Sequence, residues 1–457
     1  MNDITKLLDL EDQSIQATNV EIAGKNKVIT IETTPTPHFC PLCGSRMYSK
    51  GVRNRTIRHP LLQGNYCLML LLKQRRWRCT NINCKYESDE HFRFVNRYRR
   101  ITNATELLVV DAFRNPSDSA ARIANRFHIS DTEALEIFDR FVDMKRLPLT
   151  DIISVDEVYI NMDPKHKYAL VLQDFHTGDP IDLLVSRRND VTEPYFTMLP
   201  REEKARVKYL ISDMYNPYIS YVSKYFPNAV SVVDSFHVIQ WIIHQLDLFL
   251  RRLLKEYKAR DEKHWAEKKV DNPLLEHRRM PTSDEVYLLQ HYRWLLLSNQ
   301  EYVSYRGKLK YDKHFRRYMS ISDYEDLFFA LHPNIKPYRD LKEVYIRFNT
   351  KYAGDPDRAS VELENVIDSY QYSDYRIFQD FAEVLIQYKR PILNSFILTQ
   401  KITTKGICES RLSNGPIESM NRKVKDMVRL CRGFPNFDHL RNRFLFSTRK
   451  EPTLQGK

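Results

Sequence analysis

Five short apolar runs between residues 152 and 233 constrain the fold of this 457-residue chain more than any other feature. Each run is about as long as a strand and is rich in β-branched residues, and turn residues such as Asp, Pro, Gly and His separate the runs. They are 152–160, 168–172, 181–185, 207–213 and 229–233. Helical segments, 192–199 and 218–225, lie between the later runs. The first three runs predict a meander of β-strands, and the later runs predict further strands with helices between them.

The first and the fourth of these runs carry the acidic residues that are candidates for a metal site. Asp156 lies in the middle of the first run, where a buried carboxylate is costly unless it is paired or bound to a cation. Asp213 ends the fourth run, at a point where a carboxylate emerges from the sheet and can bind a metal. A solvated position near the strand end is the simpler interpretation of Asp156 alone. Glu157 points to the other face and is expected at the surface.

Two helix starts carry further candidate residues. In Asp234-Ser-Phe-His237, Asp234 can cap a helix, and the three-residue spacing places His237 on the same side. Helix capping alone and an accessory active-site role for Asp234 and His237 both remain open. Glu418 lies in the stretch Ser-Asn-Gly-Pro-Ile-Glu-Ser-Met-Asn-Arg-Lys-Val-Lys, where Gly415 and Pro416 mark a helix start. Capping is an open interpretation for Glu418 as well.

The helix that carries Glu418 is predicted to have a buried stripe and an exposed face. The buried stripe is Ile417, Met420, Val424, Met427 and Cys431. The exposed face places Glu418 with Asn421, Arg422, Lys425 and Arg429. A site that cleaves a phosphodiester needs an acid that holds a metal ion and cations that hold the flanking phosphates. Glu418 and the basic residues on its face would meet both needs.

Two cysteine pairs, Cys40 with Cys43 and Cys79 with Cys84, predict a four-cysteine zinc site. Each pair can form a tight turn that presents two thiolates to one ion, although four residues separate the second pair where two are more usual. Ordinary reduced thiols are the alternative. His38 and His59 are less favoured ligands.

The net charge of +12 and the pI of about 9.1 favour a polyanionic partner, and the excess is local. Residues 38–100 hold 14 Lys and Arg against 3 acids. A DNA-binding surface or a merely solvated basic face would both produce this pattern. No apolar stretch approaches the roughly 18 residues that span a bilayer, so a soluble, intracellular protein is expected. The predicted phosphate contacts are Lys73, Arg75, Arg76, Arg78, Arg97, Arg99 and Arg100.

Amphipathic segments on either side of residues 128–130 predict a helix-turn-helix within residues 101–150. Pro116 and Ser117 are expected to start the first helix, and Ser130 or Asp131 to cap the second. Any two amphipathic helices give this pattern, and the exposed face of the second is acidic, so no base contacts are assigned. From Val238 to about Ser373 the pattern is helical throughout, and 378–393 supplies a further amphipathic segment.

Together these motifs resemble the ISL3 family of bacterial insertion-sequence transposases, over about residues 38–447. The resemblance implies a ribonuclease-H-like core, with a mixed five-stranded sheet and flanking helices, interrupted by a large all-α insertion. It also implies a DDE catalytic triad of Asp156, Asp213 and Glu418 that holds two Mg2+ or Mn2+ ions, besides a structural Zn2+. The implied domains are an arm (1–37), a zinc module (38–100), a helix-turn-helix (101–150), the core (151–237), the insertion (238–400) and core completion (401–457).

The function that the resemblance implies is DNA transposition. Such a protein binds the terminal inverted repeats of its own element, cleaves the DNA and joins it to target DNA. Its expected partner is double-stranded DNA, on which it forms a homodimer or a larger assembly, and its expected location is the bacterial cytoplasm, at the nucleoid. An inactive DNA-binding regulator and a nuclease without strand transfer remain alternatives.

Overall fold

The computed structural model describes residues 3–10, 12–60, 67–162, 165–403, 406–434 and 436–452. The chain divides into two units: Met1–Arg146 with Tyr159–Tyr168 and Arg422–Lys457, and Leu147–Val158 with Ala169–Asn421. In the described ranges, no helix is both long and apolar enough to cross a membrane.

The strands are β1 (Ile15–Ala23), β2 (Asn26–Thr33), β3 (Met47–His59), β4 (Cys67–Cys79), β5 (Glu87–Asp89), β6 (Ile152–Tyr159), β7 (Tyr168–Asp174), β8 (Pro180–Leu184), β9 (Tyr209–Ser212), β10 (Val230–Val233), β11 (Lys310–Asp312), β12 (Arg317–Met319), β13 (Leu398–Thr403) and β14 (Gly406–Arg411). The α-helices are α1 (Asp3–Leu7), α2 (Asn103–Ala112), α3 (Ala120–Phe127), α4 (Asp131–Phe141), α5 (Asn189–Met198), α6 (Arg201–Arg206), α7 (Asn216–Tyr225), α8 (Ser235–Asp271), α9 (Asp284–His291), α10 (Trp294–Leu297), α11 (Ile321–Ala330), α12 (Ile335–Lys351), α13 (Pro356–Gln371), α14 (Arg376–Gln387), α15 (Lys389–Asn394), α16 (Gly415–Leu430) and α17 (Phe437–Thr448).

The first unit contains a sheet in the order β1-β2-β4-β3, with β5 also paired to β4. The neighbours β1 and β2 are antiparallel, β2 and β4 are parallel, and β3 and β4 are antiparallel. Residues 1–37, which the sequence leaves without an interpretation, thus supply two strands of the sheet that carries the cysteine pairs. Alternate residues of β4 are buried, which is the two-residue period of a strand with one face in a core.

A helical group in the first unit consists of α2, α3, α4 and α17. The sequence places the start of the first motif helix at Pro116 and Ser117, but α3 begins at Ala120 and Ser119 caps it, accepting a hydrogen bond from the N–H of Arg122. Ser130 caps α4 in the same way. The C-terminal helix α17 contributes Phe446, whose ring meets that of Phe138 at 5.7 Å.

The second unit is built on a five-stranded sheet in the order β10-β9-β6-β7-β8, and the sheet is mixed, as the family resemblance implies. The pairs β10/β9 and β9/β6 are parallel, whereas β7 and β8 are antiparallel. The central strand β6 is buried at nearly every position, because both faces of the sheet are covered. One cluster on the sheet includes Val155, Leu170 and Leu210, and another includes Ile152, Phe175 and Leu412.

The segment between β10 and α16 has its own apolar core, formed by the helices from α8 to α15. The prediction of an all-α insertion is wrong in one respect: β11 and β12 form an antiparallel hairpin, and β13 begins at Leu398. The turn of the first hairpin contains Arg316 in the left-handed backbone region, with φ of 54°. No glycine marks this turn, so the sequence gives little sign of it.

Candidate active site and zinc site

Asp156 occupies a buried position in the central strand β6 and is 9% exposed. Its Oδ1 accepts a hydrogen bond from the N–H of Glu157 (2.7 Å), and its Oδ2 accepts one from Nδ2 of Asn421 (2.8 Å). Burial raises the pKa of the carboxyl to about 6, and the nearby charge of Asp213 adds to the increase. The solvated strand end that the sequence left open is therefore not where Asp156 lies.

Asp213 follows directly after β9, as predicted. The parallel register pairs Ser154 of β6 with Ile211 of β9, so Asp156 and Asp213 each lie two residues further, at the same edge of the sheet. Burial raises the pKa of Asp213 also. Its Oδ1 is buried and has no hydrogen-bond partner among the described residues.

Asp234, His237 and Glu418 form a close group. One ligand atom from each lies within 4.8 Å of the others, a span that a single metal ion can bridge. Asp234 is the N-cap of α8, and Glu418 lies in the first turn of α16. Both helix termini place positive partial charge beside a carboxylate. Asp234 therefore caps α8 and is also one of the three residues of the close group.

The acids that follow or lie in the two strands and those at the two helix starts all interact with His237. Asp156 and Asp213 lie outside the close group but interact electrostatically with His237. Nε2 of His237 is buried and has no hydrogen-bond partner in the described ranges. Four carboxyl groups from distant parts of the chain are therefore arranged around one imidazole.

Two neighbours of the site differ from what the sequence predicts. Asn421, expected on the exposed face of α16, is buried because its amide donates to Asp156 and to the main-chain oxygen of Glu157 (3.2 Å). Glu157, expected at the surface, is half-buried and accepts hydrogen bonds from Arg187 and from the hydroxyl of Tyr218 (2.8 Å). Helical and strand periods assign residues to a face, but they do not say what covers that face.

The chemistry of this site fits divalent cations. The pKa of Asp156, Asp213 and Asp234 is raised chiefly by burial, so their charged forms lack compensation within the protein. Oxygen-rich sites of this kind hold Mg2+ or Mn2+. The unpaired atoms of Asp213 and His237 are the positions at which a cation would replace a missing partner.

Cys40, Cys43, Cys79 and Cys84 come together as the sequence predicts, with their sulfur atoms within 4.8 Å of one another. The Sγ atoms of Cys43 and Cys79 are 3.4 Å apart, and those of Cys40 and Cys84 are 3.6 Å apart. A disulfide would need about 2.05 Å, whereas tetrahedral zinc with Zn–S of about 2.3 Å separates its sulfurs by about 3.8 Å. A hydrogen bond from Ser45 lowers the pKa of Cys43 to about 6, which favours the metal-binding thiolate.

The two histidines considered as zinc ligands have other partners. His59 is buried and hydrogen-bonds through both ring nitrogens, to the hydroxyl of Thr102 and the main-chain oxygen of Leu8, each at 2.9 Å. The ring of His38 stacks on that of Trp77 at 4.7 Å.

Most of the predicted phosphate contacts on β4 are paired with acids. Lys73 pairs with Glu32 (2.6 Å), and Arg76 and Arg78 lie near Asp89 (3.8 Å) and Glu87 (3.4 Å). Arg75 donates to the main-chain oxygen of Thr33 and is less exposed than the others. Exposed ion pairs contribute little energy, so the three exposed cations can still exchange partners.

A concave surface of about 630 Å3 on the first unit, which we call the arginine groove, collects basic residues that the sequence does not distinguish. Besides Arg97 and Arg100 it is lined by Arg53, Arg55 and Arg58 of the edge strand β3. Arg97 lies over the ring of the exposed Tyr98, at 5.1 Å. Arg99, another predicted contact, lies 3.9 Å from the buried Glu106. On α16, Arg422, Lys425 and Arg429 are exposed.

Comparison with known proteins agrees with this combination of a mixed sheet, an acid-rich site and a four-cysteine cluster. A family model of ISL3-type DDE transposases, described as "Transposase", matches residues 153–444. A second model, described as a zinc-finger of transposase IS204/IS1001/IS1096/IS1165, matches residues 36–84. The chain belongs to the ISL3 family of transposases, and its cysteine cluster and zinc-finger match support a structural Zn2+.

Curated relatives are similar over part of their length. The transposase for insertion sequence element IS1001 of Bordetella parapertussis is 23% identical over 230 residues, which are 48% of this chain and 53% of that protein. The transposase for IS1557 of Mycobacterium tuberculosis is 27% identical over 139 residues, which are 30% of this chain and 29% of that protein. The chain thus spans about a third to a half of the relatives that it matches.

Proposed function

We propose that this protein is the DDE transposase of its own insertion sequence, and that it cleaves the ends of the element and joins them to target DNA. The observation that carries the proposal is the arrangement of Asp156, Asp213, Asp234 and Glu418 around His237. Buried acids without enough partners are costly to keep, and divalent cations, which can also bind a phosphodiester, would offset that cost. In this proposal the sheet is a ribonuclease-H-like core, and Asp156, Asp213 and Glu418 are the catalytic triad.

The residues of the site have separable roles in this reaction. Asp156 and Asp213, at one edge of the sheet, would hold cations on the strand side, and Glu418 would hold one from the helix side. When bound, two Mg2+ or Mn2+ ions supply a nucleophile at neutral pH and stabilise the leaving oxygen. Asn421 fixes the rotamer of Asp156 through its 2.8 Å hydrogen bond. Arg187 and Tyr218 fix Glu157, whose main-chain N–H holds the other oxygen of Asp156.

DNA recognition is assigned to the first unit. We infer that the zinc module and the arginine groove contact the phosphates of the terminal inverted repeats, because arginines beside an exposed aromatic ring suit a nucleic-acid backbone. The helices α3 and α4 would act as a helix-turn-helix. Arg422, Lys425 and Arg429 are proposed to contact DNA near the scissile bond. A homodimer or larger assembly would bring two ends together, at the nucleoid of a bacterial cytoplasm.

The test is an incubation with labelled DNA that carries one end of the element, in Mg2+ or Mn2+, followed by a denaturing gel. Wild-type protein should give nicked and then joined products. Residues that only hydrogen-bond to a metal ligand typically cost about 10–100-fold when mutated, so Asp156→Asn, Asp213→Asn and Glu418→Gln should each cost at least about 100-fold. Asp190→Asn, at an exposed acid of α5, is the matched control.

Three results would overturn the proposal or narrow it. Unchanged cleavage by the Asp156→Asn protein would remove the assignment of the triad. Cleavage without joined products would indicate a nuclease that lacks strand transfer, and binding without cleavage in either ion would indicate a regulator.

A further inference from the structure

His237 is the one nitrogen donor within a group of carboxylates. The triad assigned by the family resemblance consists of oxygen ligands alone. In the structure, however, the group whose ligand atoms lie within 4.8 Å of one another is Asp234, His237 and Glu418. Two ligands on opposite sides of an ion at about 2.1 Å are about 4.2 Å apart, so this spacing suits one six-coordinate cation.

Two further observations indicate that the group is prepared for a ligand. Nε2 of His237 is buried and has no hydrogen-bond partner in the part of the chain that the structure describes. Asn414, whose main-chain N–H donates to Asp234, is fully buried, and both polar atoms of its side-chain amide also lack partners there. Buried polar atoms without hydrogen bonds are costly. Because three such atoms belong to residues close to Asp234, we infer that a bound ligand supplies their missing partners.

We propose that Asp234, His237 and Glu418 bind one divalent cation through a mixed nitrogen and oxygen donor set, which makes the two cation positions of the active site chemically different. The proposal rests on the proposed function, because it takes the second position to be the one at Asp156 and Asp213. An imidazole ligand favours transition-metal ions over Mg2+, which prefers oxygen. The position at His237 therefore favours Mn2+, and the position at Asp156 accepts Mg2+ and Mn2+ alike.

The folding of the chain explains how this donor set forms. Asp234 caps α8 directly after β10, and His237 lies in the first turn of the same helix. Glu418 lies in the first turn of α16, where its N–H donates to the main-chain oxygen of Asn414 (3.1 Å). The three ligand atoms thus lie within 4.8 Å of one another before any ion binds, and this lowers the ordering cost of binding.

The experiment detects nitrogen coordination directly, without relying on catalysis. The full-length protein without DNA is loaded with one equivalent of Mn2+ and examined by electron spin echo envelope modulation. Wild-type protein should show 14N modulation from a coordinated imidazole. Labelling all histidines with 15N should replace the 14N pattern with that of 15N, and this measurement needs no variant. Absence of the 14N signal in the wild-type protein would overturn the proposal.

Variants then assign the signal to one residue. His237→Gln should abolish the 14N modulation and weaken Mn2+ binding at least about 10-fold, with a smaller effect on Mg2+. His244→Gln, at an exposed histidine of the same helix, should change neither. A 14N signal that survives in the His237→Gln protein would also overturn the proposal, because another histidine would then be the ligand.

The two proposals fail in different ways. If cleavage depends on Asp156 but the 14N signal is missing, the mixed donor set is wrong and the proposed function stands. If the 14N signal depends on His237 but DNA is not cleaved in either ion, the donor set is right and the proposed function is wrong.

Discussion

The substitution Asp156→Asn should stabilise the metal-free protein at neutral pH while it abolishes cleavage. Burial raises the pKa of this carboxyl from 3.8 to about 6. The folded state therefore binds the proton more tightly than the unfolded state, and ionisation of Asp156 lowers the free energy of unfolding. The full cost is present above pH 6 and disappears as the pH falls below 3.8.

The size of the effect follows from the same numbers. One pKa unit corresponds to about 1.4 kcal/mol, so the ionised carboxylate costs about 3 kcal/mol at pH 8 and about a third of that at pH 4.5. The amide keeps the hydrogen bond from the N–H of Glu157 but must re-pair with Asn421, whose Oδ1 has no partner in the described ranges. We therefore expect a net gain of about 1–3 kcal/mol at pH 8.

The assay is thermal unfolding in EDTA at pH 8 and at pH 4.5. For a unit of this size the gain corresponds to a midpoint about 2–6 °C higher at pH 8, and the difference should shrink at pH 4.5. Under the proposed function, Mg2+ should raise the wild-type midpoint and have little effect on the variant, because a ligand of the folded state alone stabilises it.

Asp174 provides a control of opposite sign. It is also buried, at 4% exposed, but it accepts hydrogen bonds from the hydroxyl of Thr150 (2.7 Å) and the N–H of Thr177 (3.0 Å). Asp174→Asn should therefore lower the midpoint at pH 8. If Asp156→Asn lowers the midpoint in EDTA at pH 8 as Asp174→Asn does, ionised Asp156 does not destabilise the folded protein.

Three further substitutions test other parts of the molecule. Cys43→Ser should reduce zinc from one ion per chain to nearly none by atomic absorption, whereas Cys408→Ser, at an exposed cysteine, should leave it unchanged. For binding of element-end DNA, Arg53→Gln in the arginine groove should reduce the slope of log K against log salt by about one. Arg279→Gln should leave the slope unchanged. Equal slopes in the wild-type protein and both variants would show that the groove does not contact DNA. Arg443→Met leaves three main-chain oxygens of residues 113–118 without their buried donor. The free energy of unfolding, measured by urea titration, should therefore fall by about 3 kcal/mol or more. An unchanged urea midpoint would contradict this prediction.

The features that the sequence predicts well depend on local spacing. Cys40 and Cys43 meet Cys79 and Cys84 because each pair forms its own turn, and β3 and β4 then bring the turns together. Asp234 caps α8 because strand, acid and helix follow one another directly. In such cases the chemistry is contained in a few consecutive residues, and the rest of the chain has only to place the group.

The features that the sequence does not predict depend on which part of the chain packs against a given face of a helix or strand. The helical period places Asn421 beside Glu418 but cannot show that β6 lies against it, so the prediction of an exposed residue was wrong. Nothing in the sequence distinguishes Arg443 from the other basic residues of the chain. It is nevertheless buried and donates hydrogen bonds to main-chain oxygens far away in the sequence. Long-range partners of this kind leave no periodic signal.

The insertion between β10 and α16 connects two parts of the site that are far apart in the sequence. Asn421 and Asp156 are 265 positions apart, and an unstructured connection of that length would oppose their meeting by its closure entropy. The helices of the insertion have their own core, and Asn394 at the end of α15 donates to the main-chain oxygen of Ser231 in β10 (2.8 Å). The chain therefore returns to the edge of the sheet before β13 begins. Leu412 then packs against Ile152, which brings the start of α16 to the central strand. The folded insertion therefore connects the sheet to α16 and returns Glu418 to the acids of the sheet.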